Sequence, residues 1–177
     1  MNRFLIILLA SFSLISCTKK NKQKNMVNGN NNFTWNIQLA GYDYEKYDEK
    51  GQIDSENFIT EFEKFPWIEQ IKSYEKIQKG CSATLSVNDE GNKTSFWVSI
   101  MGNVNDNSFL VGYVYPKMKK GLFGLGKAKE ISWLEIFIAK DNEQVKKCFR
   151  HYFSNELDKL QSELKTMEKY DEMEAQN

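Results

Sequence analysis

Residues 119–130 read KKGLFGLGKAKE, and within them Gly121, Gly126 and Lys127 take the spacing of a phosphate-binding loop. Such a loop holds phosphate on backbone N–H groups and a helix N-terminus, with a Ser or Thr after the Lys to hold magnesium. Here Ala128 follows the Lys, and the next segment, EISWLEIFIA, is β-branched and aromatic and reads as a strand. No nucleotide site is expected. The stretch reads instead as a long loop between two antiparallel strands, with glycines that permit sharp bends. Lys119, Lys120 and Lys127 surround Leu122, Phe123 and Leu125, which makes this basic-apolar loop a candidate contact for a membrane or a partner protein.

The other spacings that suggest chemistry fail on their own terms. KYDEKGQIDSENF resembles a calcium loop, but with Gly51 at the sixth position Lys46 falls at the first, Lys50 at the fifth and Asn57 at the twelfth. That ligand set cannot enclose a hard cation. His151 is the single histidine, and no Cys-x-x-Cys accompanies it. A transition-metal site or a Cys–His nucleophile needs more partners than Cys148, three residues away on the same helical stretch. Acidic residues are plentiful, yet no pair stands out as general acid and base. The domain is expected to be non-catalytic, with no metal and no cofactor.

The elements that would position any site follow from periodicity. Phe33, Trp35, Ile37 and Leu39 alternate with Thr34, Asn36 and Gln38, which predicts a half-buried strand. Phe58, Ile59, Phe62 and Phe65 have helical spacing, with Asp54 or Ser55 as N-cap and Pro66 at the end. Trp67, Ile68, Ile71 and Tyr74 predict a second helix that stops near Gly80. CSATLSV, TSFWVSIM, FLVGYVYP and ISWLEIFIA then read as strands joined by polar turns, an antiparallel meander. In the last of these, Leu134, Ile136 and Ile138 line one face and Trp133 and Phe137 the other, so both faces are expected to be partly covered. The four tryptophans read as core residues.

Residues 141–170 read as one long amphipathic helix capped by Asp141, with an apolar stripe of Val145, Cys148, Phe149, Tyr152, Phe153 and Leu157. Leu157, Leu160, Leu164 and Met167 continue it as a coiled-coil-like seam. The expected fold is α+β: an antiparallel four- or five-stranded sheet packed by two N-terminal helices and a long C-terminal helix. The expected domain runs over residues 33–165, followed by a frayed acidic tail at 166–177.

The chain has 24 basic and 24 acidic residues, a balance that gives no case for nucleic-acid binding. Its first residues, MNRFLIILLASFSLISC, combine Arg3 with an apolar run from Phe4 to Leu14, the pattern of a secretory signal. The run is shorter than the roughly 20 residues of a transmembrane helix. Leu14-Ile15-Ser16-Cys17 resembles the lipobox of bacterial lipoproteins. That resemblance implies cleavage after residue 16, a diacylglycerol on the sulfur of Cys17, and anchoring to the inner or outer membrane of a bacterial envelope. Residues 18–32 hold four Lys, six Asn and no acid, which reads as a flexible polar tether. Its root-mean-square reach is about 20 Å. An exported compartment permits a disulfide between Cys81 and Cys148, although two reduced thiols are the plainer expectation. Anchor, tether and a single small domain are similar to immunity lipoproteins, which implies a protein partner. An envelope enzyme or small-ligand binder with a site built from distant residues is the alternative.

Overall fold

The computed structural model describes residues 33–119 and 128–175. Seven strands form one antiparallel sheet. They are β1 (Phe33–Gln38), β2 (Asp48–Gln52), β3 (Thr84–Asp89), β4 (Thr94–Gly102), β5 (Asn107–Lys119), β6 (Lys129–Ala139) and β7 (Glu168–Glu174), in spatial order β2-β1-β3-β4-β5-β6-β7. Four helices accompany them: α1 (Ser55–Lys64), α2 (Trp67–Ile77), α3 (Asn142–Phe153) and α4 (Leu157–Leu164).

Period-two alternation puts Phe33 and Trp35 of β1, Leu85 and Val87 of β3, and Phe96, Val98 and Ile100 of β4 on the same face. Val111 and Tyr113 of β5 and Phe137 and Ala139 of β6 extend that face. All four helices lay their apolar stripes on it. Phe58 and Phe62 come from α1, Trp67 and Ile71 from α2, Phe149 and Tyr152 from α3, and Leu160 and Leu164 from α4. The core is largely aromatic. The Phe58 ring lies 4.4 Å from that of Phe149 and 5.9 Å from that of Trp35, and Phe96 lies 4.8 Å from Phe149. Asp54 caps α1 by accepting from Asn57 N at 2.9 Å, and Asp141 caps α3 by accepting from Gln144 N at 2.8 Å.

Two features differ from the sequence expectation. The sheet has seven strands rather than four or five, and there is no long C-terminal helix. The extra strands are DEKGQ and EKYDEME, and they form the two edges. An edge strand needs only one neighbour and is commonly blunted with charge, so neither segment carries an apolar alternation to announce it. The expected helix over 141–170 breaks at Asn155, whose φ of 54° is left-handed. Asn adopts that region readily, and Glu156 N then bonds back to His151 O at 2.9 Å. The seam of Leu157, Leu160, Leu164 and Met167 packs onto the sheet of its own chain, and the acidic stretch beyond it becomes β7. Cys81 and Cys148 are free thiols, the first half-buried just before β3 and the second buried in α3.

Candidate functional site: the helix-free face of the sheet

The other face of the sheet carries no helix among the described residues. Its side chains fall into three rows that run across the strands. One is Gln38, Thr84, Ser99, Leu110 and Ile138; the next is Asn36, Ser86, Trp97, Gly112 and Ile136; the third is Thr34, Asn88, Ser95, Val114 and Leu134. These fifteen positions include no charged side chain, in a chain that is 27% charged. A face built for water would carry Lys and Glu among them. The two halves differ in polarity. Thr, Ser, Asn and Gln occupy β1 and β3, while Trp97, Leu110, Val114, Leu134, Ile136 and Ile138 form an apolar block over β4 to β6. Each member of that block is half-buried by its neighbours in the sheet. On β7 the rows end in Met173, which is exposed, beside Asp171 and Glu168.

Gly112 explains why the block is flat. A Cβ at this position would stand 2.0 Å from Cε2 of Trp97, so the indole lies across the strand where a side chain would otherwise rise. Gly112→Ala is expected to lift the ring and to destabilise the domain by about 1–3 kcal/mol, the usual range for overpacking. A shift in tryptophan emission together with a lower urea midpoint would check this; an unchanged spectrum would mean that the ring does not rest on the glycine.

The residues singled out by sequence are dispersed. Cys17, Lys120, Leu122, Phe123, Leu125 and Lys127 lie outside the described residues. Lys119, at the end of β5, pairs with Glu174 at 2.7 Å, and Lys117 sits 3.8 Å above the Trp133 ring. The strands that flank the glycine-rich stretch, β5 and β6, pair antiparallel out to Lys119 opposite Lys129, so a strand follows it where a phosphate loop needs a helix. The acids of the calcium-like stretch are used locally. Asp48 accepts from the Tyr42 hydroxyl at 3.3 Å, and Asp54 is the cap of α1. Among the described residues, no group of three His, Cys, Asp or Glu side chains converges as a metal site would require.

His151 contacts Glu156 rather than a nucleophile, with Nδ1 2.8 Å from Oε2. Glu156 also takes Lys159 at 2.6 Å, and Lys159 followed by His151 holds its carboxyl below the ordinary range. Cys148 is fully buried, and desolvation pushes its thiol up to about 12. A thiol held protonated in this way is a packing group, not a nucleophile. A cleft of about 430 Å³ lies beside α4, lined by Tyr115, Glu135, Gln161, Met167 and Lys169. Lys169 in this cleft pairs with Glu135 at 3.0 Å and with Glu172 at 2.8 Å, and Lys165 also lines it.

Sequence reasoning had the helix-free face partly in hand, in the alternation of Leu134, Ile136 and Ile138 against Trp133 and Phe137. It missed Trp97. Only Trp35 and Trp67 are core residues; Trp97 lies on the helix-free face, and Trp133 is half-buried beside Lys117 and Glu172. The signal for Trp97 is its cross-strand pairing with Gly112, which depends on knowing the register. Comparison with protein families, curated proteins and solved structures gives no match to this chain.

Proposed function

We propose that the protein is a lipid-anchored envelope protein that binds another polypeptide, without catalysis, through the helix-free face of its sheet. The observation that supports this is the run of fifteen uncharged positions with an apolar block at one end. Burying such a block releases about 25 cal/mol per Å² of apolar area, with no charge to desolvate. Contiguous apolar surface of this kind marks an interaction site. The anchor reading rests on the lipobox-like residues that end at Cys17 and on the lysine-rich stretch that follows.

A photo-reactive amino acid placed at Leu134 in the full chain tests the reading in intact membranes. Irradiation is expected to give one discrete protein adduct, and the same group at the exposed Glu75 on α2 is expected to give none. Equal, diffuse labelling at both positions would overturn the assignment of the face.

A further inference from the structure

We infer that the polypeptide bound on the helix-free face is a second copy of this chain, packed face to face about a two-fold axis. The inference rests on the protein-binding reading above and names the partner. Closed two-fold dimers use the same patch on both subunits, so the patch must complement itself. An axis running along β5 lays β5 over β5, β4 over β6 and β3 over β7. The apolar block then covers its own symmetry mate. Ser86 of β3 comes opposite Asp171 of β7, whose carboxylate accepts from the hydroxyl, and Thr84 and Asn88 come opposite Glu168 and Met173.

Three further observations favour a copy over an unrelated partner. Interfaces that select a foreign partner commonly do so by charge, and the twelve positions of β3 to β6 on this face offer none, the carboxylates lying only at the β7 rim. Depletion of charge in a more apolar contact is the character of homodimer interfaces. The full chain has 24 basic and 24 acidic residues and only Arg3 lies within residues 1–16, so the net charge stays near zero and gives two copies little long-range repulsion to overcome. Growth of the sheet sideways is disfavoured because both edges, DEKGQ and EKYDEME, are charged strands. Stacking of sheets about 10 Å apart is the association left open to the fold. Five strands spaced about 4.8 Å apart and about six residues long project roughly 500 Å². Two copies therefore bury on the order of 1,000 Å², the size at which a specific interface begins.

The test co-expresses two full-length copies with different affinity tags, one of which carries the photo-reactive group at Val114, close to the inferred axis. Capture on one tag is expected to retain the other copy, and the photo-adduct is expected at twice the mass of the single mature chain run beside it. Ile136→Lys should remove both signals, at least tenfold, while the circular dichroism spectrum is unchanged. If that variant fails to fold, Ser95→Arg adds a charge to the same face without removing an apolar group and should give the same loss. An adduct of a different mass would overturn the second-copy inference and leave the protein-binding reading standing. No adduct would overturn both.

Discussion

Phe58→Ala is expected to destabilise the domain by about 3–5 kcal/mol, the range for removing a buried aromatic ring. Phe58 is fully buried in α1, and its ring meets those of Trp35, Phe149 and Phe153 at 5.9, 4.4 and 5.8 Å. It is therefore the point where the first strand, the first helix and α3 are joined. Truncation opens a cavity that three aromatic neighbours cannot fill by rotamer change alone. Domains of this size have a total stability of about 5–15 kcal/mol. With a urea dependence of about 1–3 kcal/mol per molar, the midpoint should fall by at least about 1 M. A fall of a few tenths of a molar would mean that α1 docks loosely, and would contradict the burial on which the fold description depends.

Leu134→Ala sets the contrast. Leu134 is just as apolar but only half-buried, on the face away from every helix. In an isolated chain its truncation removes little buried area. In the inferred dimer it would remove contact beside the axis, and the loss would then depend on protein concentration. On the inferred dimer, Phe58 and Leu134, both plainly apolar in the sequence, would belong to different equilibria, one to folding and one to association.

That distinction also marks what the sequence could disclose. Helix α1 with its Asp54 cap, α2, and strands β1 and β3 to β6 were legible because each buries one face, and burial of one face imposes a period. The edges β2 and β7 were not. DEKGQ reads as a turn and EKYDEME as a tail, because the backbone of a single neighbour organises them and their side chains are exposed or nearly so. The break at Asn155 was hidden for the opposite reason. The apolar stripe runs through it in near-helical phase, from Phe153 to Leu157 and Leu160, so periodicity continues where the backbone does not. The candidate face needed register as well as period. Leu134, Ile136 and Ile138 were visible as a stripe, but their union with Trp97, Leu110 and Val114 exists only once β4, β5 and β6 are aligned. Spacing arguments work within one element, and this face is shared among several.

Cys17→Ser is expected to abolish lipid-dependent membrane retention. Each buried CH₂ contributes about 0.8 kcal/mol, and a single acyl chain holds a protein to a bilayer only marginally. A lipidated N-terminal cysteine carries at least two chains, so the proposed anchor would be stable, and the four lysines among residues 18–32 would add attraction to anionic head groups. Serine keeps the size of the side chain but cannot form the thioether, so every acyl chain is lost in one step. None of the described helices is long and apolar enough to span a bilayer. Metabolic labelling with a palmitate analogue should mark the wild type and leave the variant unmarked, and the variant should accumulate as unprocessed precursor or appear in the soluble fraction. Equal labelling of both would remove the anchor. The dimer would then have to form in free solution, where no membrane raises the local concentration of the two faces.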